Sequence, residues 1–177
     1  CICSGTSWGW LPDDPVSDFD WLIRMMVNVV CRDGNWLVNI GPDRNGKLAP
    51  EIVNRIHEVG DWLRTYGESI YNTRGGPIQP VDNVYGTTSA GDTIYLHILD
   101  RNKFSGQKIL IEPYEVESVM TFDGVPCEYS IADRHLSIRL PENLPRDEKS
   151  LADTILKIKV KGQIEQKEYE RIYFTGK

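Results

Sequence analysis

Two closely spaced tryptophans near the amino-terminal end are the most unusual feature of the sequence. Trp8 and Trp10 flank Gly9 and precede an amphipathic helical segment, so we expect them to lie in a loop. Tryptophan rings are large apolar plates, and such plates can stack on the C–H face of a sugar ring. The alternative is that both rings simply fill the rim of a barrel. We take Trp8 and Trp10 as candidates for lining a substrate pocket.

Asn39 is the third candidate for the pocket. It lies near the end of a short apolar stretch, residues 36–40, which is followed by Gly41 and Pro42. In an α/β barrel the carboxyl ends of the strands face the active site. A polar side chain at that point could contact substrate or orient a neighbour, and the alternative is that Asn39 hydrogen-bonds the barrel backbone.

The sequence contains no complete catalytic constellation. His57, His97 and His135 are isolated along the chain, and none has the His-Glu-x-x-His spacing of a zinc site. We expect each of them to be structural or solvated. There is no phosphate-binding glycine loop and no nucleophile elbow. The residues alone therefore assign no catalytic group.

The composition is that of an ordinary globular protein. Of the 177 residues, 40% are hydrophobic and 26% are charged, and the formal net charge is −6. This charge gives no electrostatic reason to expect nucleic acid or anionic lipid as a partner. No apolar stretch approaches the roughly 20 residues of a membrane-spanning helix. The four cysteines are too few and too scattered to predict a disulfide framework.

Two helices are predicted in the first part of the chain. Apolar residues recur at helical spacing over residues 19–30, with Ser17 as the expected N-cap. A second helix is expected to begin at Pro50 and to end at Gly67.

The apolar stretch between these helices predicts a strand of a parallel sheet. Residues 36–40 are apolar on both faces, which is typical of strands buried between helices in α/β folds. One strand cannot complete such a sheet, so the apolar faces of residues 1–75 need partners from outside the chain. The chain also opens at Cys1 with neither Met nor a signal-type segment. We therefore expect a fragment that contains the last helix–strand–helix of a (β/α)₈-like barrel.

The second part of the chain predicts an antiparallel β-sandwich over residues 84–177. A Gly/Pro-rich linker over residues 76–83 separates it from the barrel part. Beyond the linker the apolar period changes from helical to alternating, and turn residues separate short strands. The expected strands are 84–88, 93–99, 108–111, 117–122, 128–131, 136–140 and 154–160, with a possible edge strand at 172–174.

The order of these segments resembles the α-L-fucosidases of glycoside hydrolase family 29. In that family the run is typically Ser-Trp-Gly-Tyr, a helix, and Gly-Asn-Leu-Leu-Leu-Asn-Ile-Gly-Pro, which residues 7–10 and 34–42 match. The likeness continues through residues 59–63 and 66–74, and residues 91–96 look like the opening hairpin of the family's C-terminal sandwich. Trp10 replaces the commoner Tyr, and Trp36 replaces a commoner Leu.

The resemblance implies a retaining exo-glycosidase that removes terminal α-L-fucose from glycans. Its barrel would supply an Asp nucleophile and a Glu acid/base about 5 Å apart. In the family the nucleophile lies well upstream of the Ser-Trp-Gly block. In many members the acid/base Glu lies two residues before a Cys that aligns with Cys1. Neither carboxylate is then a residue of this chain, which by itself should be inactive.

The resemblance also sets the expected partners. A fucosylated glycan would be the substrate and the missing N-terminal barrel the structural partner, with no nucleic acid, membrane, metal or organic cofactor implied. The compartment is left open among periplasmic, extracellular and lysosomal. A glycosidase on the same barrel with a different sugar preference is also compatible with these residues.

A different class of protein is the main alternative. A non-catalytic carbohydrate-binding or scaffolding β module would place exposed aromatic side chains in a row on one sheet face. The candidates for that row are Tyr85, Tyr95, Tyr114, Phe122 and Tyr129.

Overall fold

The computed structural model describes residues 2–3 and 10–165, and its first elements alternate between strand and helix. Strand β1 (Ile2–Cys3) is followed by helix α1 (Phe19–Val30), strand β2 (Val38–Asn39) and helix α2 (Pro50–Tyr66). β1 and β2 are parallel neighbours. Parallel strands joined through a helix form the βαβ arrangement of α/β folds.

Both helices form where the apolar period predicts them. α1 begins after Asp18 and not after Ser17, and no side-chain hydrogen bond caps it, so the predicted cap is wrong. Pro50 opens α2 and Gly67 follows its last residue, as expected. No helix in the described part of the chain is long and apolar enough to cross a membrane.

Two antiparallel sheets make up the second part of the described chain. The larger sheet has the strand order β3-β4-β5-β10-β7 and the smaller one has the order β6-β9-β8. The strands are β3 (Arg74–Gly75), β4 (Tyr85–Ala90), β5 (Thr93–Ile98), β6 (Ile109–Leu110), β7 (Val116–Thr121), β8 (Glu128–Ala132), β9 (His135–Arg139) and β10 (Thr154–Val160). A 3-10 helix (Gly67–Ser69) precedes β3. Two short helices lie between later strands, α3 (Arg101–Phe104) after β5 and α4 (Glu148–Ala152) before β10.

The seven predicted strands within the described residues are all present, as β4 to β10, and their ends shift by only a few residues. The possible edge strand at 172–174 lies outside the described residues. β3 is a strand that the sequence did not predict, and it forms because Arg74 pairs with Ser89 of β4.

The segment predicted as a linker lies against β4. The Gly76 N–H donates to the Thr87 carbonyl at 2.7 Å. A Cβ on Gly76 would come within 2.3 Å of Thr87 Oγ1, so the close approach requires glycine. Ile78 is buried in the core between the two sheets.

A second core joins the helices to the outer face of the larger sheet. The apolar stripe of α1 is buried there together with Trp62 of α2. Tyr95 of β5 and Ile155 of β10 lie in this core, as does Leu99, which directly follows β5. The expectation that these helical faces need partners from outside the chain is therefore wrong for α1, because its own sheet covers the stripe.

Candidate functional site

The parallel strands β1 and β2 end at the same edge. Asn39 is the last residue of β2 and lies opposite Cys3, the last residue of β1. Because the strands are parallel, the chain leaves Cys3 and Asn39 at the same, carboxyl edge of the pair.

The three pocket candidates differ in how far the structure describes them. The Trp10 side chain is 40% exposed, Asn39 is half-buried and engaged with the surrounding chain, and Trp8 lies outside the described residues. Their role in lining a pocket stays a prediction. Leu11 and Leu37 are 51% and 61% exposed, so this part of the described chain leaves apolar surface uncovered.

A buried polar cluster lies in the core between the helices and the larger sheet. His97 Nδ1 is 2.6 Å from Asp153 Oδ2, and both side chains are fully buried. His97 Nε2 is 3.1 Å from Thr88 Oγ1, and the Thr88 hydroxyl donates to the Ser69 carbonyl at 2.6 Å. Since that hydroxyl has one proton, His97 Nε2 must donate to Thr88 Oγ1.

This cluster has the residue types of a hydrolase triad but not its setting. Cys31 lies in the same core, and burial, with a contribution from the Asp153 carboxylate, raises the pKa of its thiol well above the ordinary value. A thiol held in its protonated form is a poor nucleophile. His97 is fully buried and Cys31 is 2% exposed, so neither a base nor a nucleophile of this cluster is open to a substrate, and the cluster is structural. His97 is thus structural, as the sequence predicted.

Asp33 fastens the loop after α1 to β3. Arg74 Nε donates to Asp33 Oδ1 at 2.7 Å, and the Gly75 N–H donates to the same oxygen at 2.9 Å. The Arg74 hydrogen bond, with that of Gly75, holds the pKa of Asp33 below its usual range. Sequence reasoning missed this contact because the two segments are 41 residues apart.

Replacing Asp33 with asparagine should therefore lower stability in a pH-dependent way. A depressed carboxyl pKa in the folded state contributes stability that is present above the unfolded-state pKa of about 3.9 and is lost as the pH falls through the folded-state pKa. We expect a loss of about 1 kcal/mol at pH 7, because the pair is partly exposed, and a smaller difference near pH 3. Urea unfolding at both pH values measures it, and an equal loss at both would contradict the Asp33–Arg74 account.

The aromatic row of the alternative hypothesis does not form. Tyr85 and Tyr95 are buried at 7% and 5% exposure, Tyr85 in the core between the sheets and Tyr95 in the core beneath the helices. Tyr129 is 38% exposed on β8, which belongs to the other sheet. The candidates therefore do not share one exposed face.

Residues 1–68 match the family model described as alpha-L-fucosidase. Among curated proteins, the alpha-L-fucosidase of Branchiostoma floridae is 32% identical over 99 residues, which are 53% of this chain and 22% of that protein. Human plasma alpha-L-fucosidase is 27% identical over 147 residues, 77% of this chain and 32% of that protein. The chain thus spans between about a fifth and a third of these relatives.

Solved structures share the fold over most of the described chain. An alpha-L-fucosidase of family 29 from Bacteroides thetaiotaomicron, trapped as a covalent intermediate with 2-fluoro-fucosyl fluoride, aligns with a TM-score of 0.79 at 19% identity and covers 92% of this chain and 38% of its own. Alpha-L-fucosidase isoenzyme 1 from Paenibacillus thiaminolyticus aligns with a TM-score of 0.74 at 23% identity, covering 91% and 39%. The mixture of helices and antiparallel sheets seen here is therefore that of the family's C-terminal region. Residues 1–68 are thus similar in sequence to the α-L-fucosidases, glycoside hydrolase family 29, and most of the chain shares the fold of the C-terminal region of solved members.

Proposed function

We propose that the chain is the C-terminal part of a retaining exo-α-L-fucosidase that hydrolyses terminal α-L-fucose from glycans. The match of residues 1–68 to the family carries this proposal. The covalent intermediate trapped in the Bacteroides enzyme supports a mechanism through a glycosyl-enzyme, in which one carboxylate attacks the sugar and a second acts as acid and then as base. Both carboxylates would lie upstream of this chain, which alone would be inactive.

In this proposal residues 1–75 form the last part of a (β/α)₈-like barrel. The sheet formed by β1 and β2 has two strands, so within the described residues each strand has one unpaired edge. An unpaired edge exposes backbone N–H and C=O groups, and parallel sheets are normally buried and extended on both sides. Further barrel strands would satisfy both edges. Residues 76–83 then connect the barrel to the sandwich of residues 84–177.

The pocket candidates follow from the same arrangement. Asn39 and the loop with Trp8 and Trp10 would stand at the carboxyl edge of the barrel strands, where barrel enzymes place their active sites. Trp8 and Trp10 would present apolar surface to the sugar ring, and the Asn39 amide would hydrogen-bond a sugar hydroxyl or orient a neighbouring group.

The first test compares this chain with the longer protein that contains it. We expect the longer protein to release 4-nitrophenol from 4-nitrophenyl α-L-fucoside, with L-fucose formed first as the α anomer by NMR. The 177-residue chain should give no turnover above buffer. No hydrolysis by the longer protein, or a β-anomeric first product, would refute the proposed activity or its mechanism.

The second test concerns Asn39. In the longer protein, Asn39→Ala should lower kcat/KM by about tenfold or more, which corresponds to a loss of roughly 1.4 kcal/mol in transition-state stabilisation. Asn54→Ala is the matched control, because Asn54 is exposed on α2 and alanine favours helix. If both substitutions change kcat/KM equally while the melting temperature stays the same, Asn39 does not line the pocket.

A further inference from the structure

A cavity of about 180 Å³ lies where the helices meet the sandwich. Its walls come from the end of α2, the end of β7 with the turn that follows, and the chain leading into α4 and β10. The apolar part of the lining consists of Tyr66, Phe122, Val125, Leu144, Pro145 and Ile155. Val125 is 46% exposed and therefore marks the mouth.

Two aromatic rings form part of the cavity wall. The Tyr66 and Phe122 rings meet edge to face with centroids 5.1 Å apart. Lys157 Nζ lies 4.3 Å from the Phe122 ring centroid. The aromatic pair thus gives an apolar surface that can contact the C–H groups of a ligand.

The polar groups of the lining are carboxylates, hydroxyls and the Asn143 amide, together with one cation among the described lining residues. Arg101 is the cation of the lining, and its guanidinium is already engaged. Its Nε donates to Thr154 Oγ1 at 2.6 Å, and its second terminal nitrogen donates to the Pro145 and Ser150 carbonyls at 2.8 and 3.0 Å. Asp123 and Asn143 are exposed and complete the rim.

Carboxylates lie close to the Tyr66 phenol at the cavity wall. Burial raises the pKa of this phenol, and the carboxylates of Asp147, Asp123 and Asp153 raise it further, whereas Arg101 lowers it. Asp153 also lines the cavity, and its buried Oδ1 has no hydrogen-bond partner among the described residues. A ligand that fits these groups brings hydroxyl donors and carries no negative charge.

We propose that this cavity binds one neutral pyranose unit at the end of a glycan. A pyranose has apolar C–H faces for the Tyr66–Phe122 wall and hydroxyl donors for Asp123 and Asn143. The volume is below the roughly 300–1,000 Å³ of pockets for drug-sized ligands, which suits a single ring better than an oligosaccharide. The proposal rests on the proposed function only in taking L-fucose as the sugar to test.

The experiment titrates methyl α-L-fucopyranoside into the 177-residue chain and detects binding by saturation-transfer NMR. For so small a ligand we expect a Kd on the order of 1 mM. Methyl α-D-galactopyranosiduronate, a pyranoside that carries a carboxylate, should bind at least about tenfold more weakly. Absence of fucoside binding, or equal binding of the acidic glycoside, would overturn the proposal.

Two variants locate the binding. Val125→Trp should fill the mouth and weaken fucoside binding at least about tenfold, whereas Val81→Trp, at a residue that is 41% exposed and not in the lining, should not. If Val125→Trp misfolds by circular dichroism, Asp123→Asn replaces it. Its matched control is Glu117→Gln on β7, an exposed residue outside the lining.

The outcomes separate this site from the proposed enzyme activity. Binding that survives Val125→Trp or Asp123→Asn would place the sugar elsewhere and overturn the assignment of the cavity. Fucoside binding by the chain that is lost in those variants supports the cavity even if the longer protein hydrolyses no fucoside. Hydrolysis by the longer protein without sugar binding here leaves the proposed function intact and refutes the site.

Discussion

Replacing His97 with alanine should destabilise the chain by about 3–5 kcal/mol, a large share of the roughly 5–15 kcal/mol that holds a domain folded. The imidazole is fully buried and hydrogen-bonds Asp153 Oδ2 at 2.6 Å. Its removal leaves a buried carboxylate whose Oδ1 already has no partner among the described residues. Urea unfolding at pH 7 measures the loss.

Two controls separate the buried pair from ordinary packing. The double variant His97→Leu with Asp153→Leu should recover part of the loss, because replacing both partners by apolar groups leaves no unpaired polar atom. Asp82→Ala removes a partner from the exposed ion pair with Arg32 and should cost no more than about 1 kcal/mol. A His97→Ala cost as small as that of Asp82→Ala would contradict the account of the cluster.

Local sequence patterns were sufficient to predict the helices and strands. The α1 stripe is read directly from spacing, and β4 and β5 follow from alternating residues on either side of Gly91, whose φ of +61° suits the turn between them. Such signals lie within a few residues of one another, so one sequence contains them. They predict the seven sandwich strands but not the way in which the helices pack on them.

Contacts between distant segments could not be predicted in the same way. His97 and Asp153 are 56 residues apart, and nothing local to either residue indicates the other. Gly75 likewise gives no strand signal, and it is in β3 because Thr88 of β4 lies opposite it. The expectation that α1 needs an external partner was wrong for the same reason. The residues that pack on α1, Tyr95 and Ile155, are distant from it in the sequence.

The candidate site could be predicted mainly because the sequence resembles a known family. Trp10 and Asn39 are single residues with several possible roles, and their chemistry depends on groups that would come from further barrel strands. The position of Asn39 at the carboxyl edge of β1–β2 agrees with the expected strand end, and its function stays a prediction. The cavity beside Tyr66 had no sequence signal, because its lining is drawn from four separate stretches of the chain.

Trp62→Ala should destabilise the chain by about 3–5 kcal/mol, the usual cost of removing a buried tryptophan side chain. The Trp62 side chain is fully buried in the core between the helices and the larger sheet, with its ring centroid 5.3 Å from that of Tyr66. Trp21→Ala is the matched control, since Trp21 is 42% exposed on α1 and its loss should cost less than about 1 kcal/mol.

The form of the unfolding curve is as informative as its midpoint. If the shared core couples α1 and α2 to the sheet, near-ultraviolet and far-ultraviolet circular dichroism should report one coincident transition, and Trp62→Ala should move both signals together. If residues 1–75 and 84–177 fold as independent domains, Trp62→Ala would instead create an early helical transition while the sheet signal stayed in place. We expect the coincident shift, because Tyr95, Leu99 and Ile155 of the sandwich lie in the same core as Trp62 and would be exposed by its loss.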